Sequence, residues 1–92
     1  MTKNELKAEY MELWTLTNNT INEIRDTDTY TKERKYYEHL NDKKSSELYG
    51  LGHNGGWRLN QMKKSEIAVK ITEITELLKK YSDMLTEQLG KI

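Results

Sequence analysis

From Ile67 to Leu85 the chain sets apolar residues at alternating intervals of four and three: Ile67, Ile71, Ile74, Leu78, Tyr81 and Leu85. That spacing returns a side chain to the same face of an α-helix at every turn, and a helix with such a seam is built to lie against another helix. Leu77 and Met84 widen the seam. Lys70, Thr72, Glu73, Glu76, Lys79, Lys80 and Asp83 form the opposite, water-facing set. The pattern predicts a helix that starts between Trp57 and Ser65 and ends near Leu89, with Gly90 as its C-cap.

A second long helix is written at the other end. Thr2-Lys3-Asn4-Glu5 reads as a capping box, with Thr2 at the N-cap and Glu5 reaching back to it. Leu6, Tyr10, Leu13, Thr17, Ile21 and Ile24 follow at helical spacing, thickened by Met11 and Trp14. This predicts a helix over about 3–26. Thr17-Asn18-Asn19-Thr20 has poor helix propensity, so tertiary contacts must hold the helix there, or it breaks. The two long helices match in length and would suit an antiparallel pair.

Between them the signal is weaker. Asp26 to Thr29 is a run of turn and cap formers. A helical segment over about 31–49 carries Tyr36, Tyr37 and Leu40, is interrupted at Asn41-Asp42, and should stop at Gly50. Residues 50–56 hold four of the five glycines and read as a linker, with Leu51 and Trp57 tacking it to the core. The expected fold is all-α in a single domain over 1–92. Two long amphipathic helices are joined by a shorter, interrupted helical segment and a Gly-rich loop, in a helical bundle completed by dimerisation.

Composition is the reason for expecting a dimer. Apolar residues make up 35% of the 92 residues and charged residues 33%. The first figure lies below the roughly 45–50% of ordinary domains, a benchmark that also counts Gly. A chain this short has a thin core, and with no cysteine no disulfide or thiolate site supports it. Self-association would enlarge that core. The C-terminal seam suits packing within one chain or across a homodimer. Gln88 and Ile92 continue its register to the C-terminus, which favours the homodimer.

The net charge is zero, against a dedicated nucleic-acid coat. Residues 1–31 carry six acids against three bases, and residues 32–70 nine bases against five acids. No apolar stretch approaches the roughly 18 residues of a membrane span, and the N-terminus lacks the apolar core of a signal peptide. A cytoplasmic protein with no membrane contact is expected. The excess of Lys over Arg, with frequent Asn, Ile and Tyr, is the bias of AT-rich codons. It suggests a low-GC bacterium or its phages.

No chemistry-bearing motif is present. Gly50, Gly52, Gly55 and Gly56 form neither a phosphate-binding G-x-x-x-x-G-K-[ST] loop nor a dinucleotide G-x-G-x-x-G turn after a strand. His39 and His53 are too few for a zinc site. No Ser, Thr or Cys nucleophile pairs with His53. Glu9/Glu12, Glu73/Glu76 and Asp26/Asp28 are ordinary solvated carboxylate pairs. The expectation is no catalytic residue, no metal and no cofactor. No motif assigns the chain to a known family.

Tyr30, Tyr36, Tyr37 and Tyr49 lie among Lys32, Arg34, Lys35, Lys43 and Lys44. Such tyrosines can simply pack at the edge of a core. Aromatics and Arg are also the residue types of protein–protein hot spots. Interleaved with bases, they can equally stack on unpaired nucleobases. The expected function is a non-enzymatic adaptor or inhibitor that binds a larger protein. Its contacts are Tyr36, Tyr37, Tyr49, Trp57 and Arg58, rimmed by Lys43 and Lys44. The alternative is a small nucleic-acid-binding regulator that uses the same basic, Tyr-rich segment.

Overall fold

Thr2 and Glu5 cap each other. The Glu5 N–H donates to Thr2 Oγ1 at 3.2 Å, and the Thr2 N–H donates to Glu5 Oε1 at 3.0 Å. The predicted capping box therefore opens the first helix, α1 (Lys3–Thr27). The computed structural model describes residues 2–27 and 42–90, apart from the side chains of Arg25, Thr27 and Gln88. Those residues form α1, α2 (Lys43–Leu51), a 3-10 segment (His53–Gln61) and α3 (Lys64–Leu89), with no strand among them. None of these helices is long and apolar enough to cross a membrane.

The weak stretch of α1 does not break. Thr17 is buried, and its hydroxyl donates to the Leu13 carbonyl at 2.7 Å; Thr20 does the same to Leu16 at 2.8 Å. Both hydroxyls are satisfied within the helix, so packing offsets the poor propensity. Asp42 caps α2 by accepting from the Lys44 N–H at 2.9 Å and, more weakly, the Ser45 N–H at 3.4 Å. Gly50 does not stop this helix, contrary to expectation. It lies inside α2, and Gly52 is the C-cap.

The long helices run parallel, which corrects the antiparallel pairing. Lys3 Nζ reaches the Asn60 carbonyl just ahead of α3, and Leu6 lines one groove with Ser65 and Ala68. At the other end Ile21 and Ile24 pack with Leu77 and Tyr81. The cause lies in the middle of the chain. α2 and the 3-10 segment form a descending leg, from Asp42 beside Lys80 to Asn60 beside Lys3. The third leg then starts where the first began. The described residues are thus an up-down-up three-helix bundle.

The core has two parts. Leu6, Tyr10, Leu51, Leu59, Ile67 and Ile74 form one, and Ile21, Ile24, Leu48, Leu77 and Tyr81 the other. The C-terminal seam divides accordingly. Ile67, Ile74 and Tyr81 are buried within the single chain, together with Leu77. Ile71, Leu78 and Leu85 are only half-buried. On the supposed wet face, Lys70 and Glu73 are half-buried as well, because α2 packs over them.

Candidate interaction surface

The sharpest backbone feature is the turn that leaves α2. Asn54, Gly55 and Gly56 are all left-handed, with φ of 55°, 71° and 71°. Side chains with a Cβ avoid that region, and Asn and Gly are the residues that enter it at least cost. Gly56 is needed twice over, since a Cβ there would also press on Met11 Sδ. Leu59, fully buried, then anchors the segment. Between these fixed points stand Trp57, 46% exposed, and Arg58, whose guanidinium carbon lies 5.6 Å from the centre of the Trp57 ring. Leu51 joins the core as expected, but Trp57 does not tack the linker to it; Leu59 does so in its place. No periodicity in the Gly-rich stretch marks Leu59 out.

Aromatic rings continue the surface. Arg58 Nη1 approaches Gly50. Next to Gly50, the Tyr49 ring meets His53 edge-on at 4.9 Å between centres. Trp14 of α1 lies 5.5 Å from Tyr49 and 5.6 Å from His53. Two side chains of α1 hold this arrangement by taking up the last carbonyls of α2, which have no partner inside the helix. Tyr10 donates its hydroxyl to Leu48 O at 2.6 Å, and Trp14 Nε1 donates to Tyr49 O at 2.8 Å. The Tyr49 hydroxyl donates to Asn18 Oδ1. Burial pushes the Tyr10 hydroxyl pKa well above its ordinary value, aided by the carboxylates of Glu73 and Glu47. Tyr10 therefore stays a neutral donor.

Of the expected contact residues, Trp57 and Arg58 share one turn, and Arg58 approaches Gly50, next in the chain to Tyr49, whose ring packs with Trp14 and His53. The structure does not bring Lys43 and Lys44 to the rim. They sit at the far end of α2, near its Asp42 cap. Lys44 pairs with Glu73 Oε2, a buried oxygen that Lys70 Nζ also approaches at 3.8 Å. Lys70 pairs at 2.8 Å with Glu47. The bond to Glu73 raises the Lys44 pKa, and the bond to Lys70 lowers that of Glu47. Lys44 is thus part of the α2–α3 contact. Tyr36 and Tyr37, with His39, fall outside the described residues.

The patch combines flat aromatic area with a planar cation on a turn that is already ordered. It offers stacking, apolar contact and carboxylate recognition. Among the described residues, no three of His, Cys, Asp and Glu converge as a metal site. Comparison with protein-family models, curated proteins and solved structures finds no match for the chain.

Proposed function

We propose that this chain is a small, non-enzymatic interaction protein, an adaptor or inhibitor that docks a larger protein through the Trp57–Arg58 turn. One observation carries the reading: a tryptophan nearly half exposed, with an arginine over its ring, displayed on a turn pinned by Gly56 and Leu59. Trp and Arg dominate binding hot spots, and a pre-ordered turn loses little entropy on docking. Tyr49 and His53 pack edge-on next to Gly50, the residue that Arg58 approaches, and would extend the contact. A phage or other mobile-element origin, in the cytoplasm of a low-GC bacterium, accords with the codon-like bias of the composition.

The test is affinity capture from a low-GC bacterial lysate, with and without nuclease. The wild-type chain is compared with Trp57→Ala and Arg58→Ala. The proposal expects one protein partner that survives nuclease and is lost with either variant. Retention of nucleic acid alone, with affinity falling steeply as salt rises, would identify a nucleic-acid-binding regulator instead. A protein partner that both variants hold at full strength would place the site elsewhere.

A further inference from the structure

The side of the α1–α3 pair that faces away from α2 bears a line of large apolar side chains left half-covered. Trp14 and Asn18 of α1, and Lys70, Glu73 and Lys80 of α3, mark the side that α2 occupies. At 3.6 residues per turn, Leu13 and Leu16 of α1 and Ile71, Leu78 and Leu85 of α3 fall on the other side. Leu16 is 48% exposed and the rest are half-buried. A third of the chain is charged, yet no charge interrupts this stripe. Its threonines are already satisfied: Thr20 donates to Leu16 O at 2.8 Å and Thr75 to Ile71 O at 2.7 Å. Both can be buried without stranding a hydroxyl.

The borders of the stripe say what covers it. Glu9 and Glu23 flank it on α1, and Lys64 and Lys79 on α3, all exposed; within the chain Lys79 also meets Asp83 at 3.1 Å across a water-exposed pair, and Lys64 lies near Glu5. Because the two helices run parallel, a two-fold axis along the bundle lays α1 of one copy over α3 of the other. Leu6 stands level with Ser65 and Ala68, and Ile24 with Leu77 and Tyr81. That register brings Glu23 within a turn of the other copy's Lys79, and Glu9 about one to two turns from its Lys64. We infer that a second copy of this chain covers the stripe, in a parallel two-fold dimer that buries Leu16 and Leu78 and pairs the acidic border with the basic one. The dimer leaves both Trp57 turns on its outer sides, so it is bivalent for any partner they bind.

Sedimentation equilibrium on the full chain, from low to high micromolar concentration, tests this. A monomer–dimer equilibrium is expected. Leu16→Glu should weaken it by about tenfold or more, since it places a charge in an apolar contact. Circular dichroism should show unchanged helix content. Val69→Glu, at an apolar position exposed on a different face of α3, should leave the dimer intact. Lys79→Glu should weaken association, and Glu23→Lys in the same chain should restore it. A monomer at every concentration overturns the inference, as does a dimer that tolerates both Leu16→Glu and Leu78→Glu. A dimer that Leu16→Glu disrupts but the charge exchange fails to restore overturns the parallel arrangement.

Discussion

Gly52 lies against the indole of Trp14 so closely that a Cβ at residue 52 would overlap the ring. The backbone of Gly52 is ordinary right-handed, with φ −84° and ψ −13°. The site needs glycine for want of room, not for its dihedral angles. Gly55 is the converse, with φ 71° and nothing near its missing Cβ.

Alanine at these two positions should separate the two causes. Gly52→Ala must displace Trp14, which breaks its bond to Tyr49 O and its contact with His53. A cost of about 1–3 kcal/mol or more is expected. Gly55→Ala should cost about 1–2 kcal/mol, from the left-handed backbone alone. Denaturant unfolding measures both. Tryptophan fluorescence should shift for Gly52→Ala and stay put for Gly55→Ala.

Tyr10→Phe removes the donor to Leu48 O and keeps the ring. The carbonyl sits at the end of α2 in the core, so the change strands an acceptor. A loss of about 1–3 kcal/mol is expected in denaturant unfolding. The C-terminal turn of α2 should also exchange its amide hydrogens faster. Unchanged stability would mean that water replaces the hydroxyl.

Ile74 and Leu78 separate the two halves of the seam. Ile74 is fully buried, so Ile74→Ala should cost about 2–5 kcal/mol. Leu78 is half-buried and belongs to neither core cluster, so Leu78→Ala should cost the monomer less, about 1 kcal/mol. If the chain dimerises through the stripe, the Leu78→Ala penalty should grow with protein concentration, while that of Ile74→Ala holds constant.

The same pair shows what the sequence discloses and what it conceals. Periodicity locates the apolar face of α3, and the Thr2–Glu5 box locates the start of α1, because both signals act within a turn of helix. Neither tells which flank of a face another element covers. That depends on the chain returning through residues 42–61, a nine-residue α-helix and a 3-10 segment broken by three left-handed residues, too short and irregular to show an apolar period. The parallel pairing, the anchoring by Leu59 and the half-exposure of Leu78 all follow from that return. Tyr10 and Trp14 read as stripe residues, and indeed line the core. Their second role as caps of α2 needs a partner about 35 residues away, at Leu48 and Tyr49.

The helix caps carry an acid-dependent part of the stability. Asp42 titrates below its ordinary 3.8 because its carboxylate accepts from the Ser45 and Lys44 backbone N–H groups, with Lys80 nearby. Glu5 titrates below its ordinary 4.5 because it holds the Thr2 N–H and hydroxyl. Glu47 does so through Lys70. A carboxyl depressed in the folded state stabilises fully above its unfolded value. That contribution fades as pH falls through the folded value. Stability should therefore be flat near neutrality and fall below about pH 4, by a modest amount since these groups are exposed. Asp42→Asn keeps a good N-cap acceptor but cannot be protonated in this range. It should stay close to wild type at pH 7 and lose less between pH 5 and pH 3, as urea unfolding at a series of pH values would show. Parallel acid losses in both proteins would mean that the Asp42 charge contributes nothing beyond its hydrogen bonds.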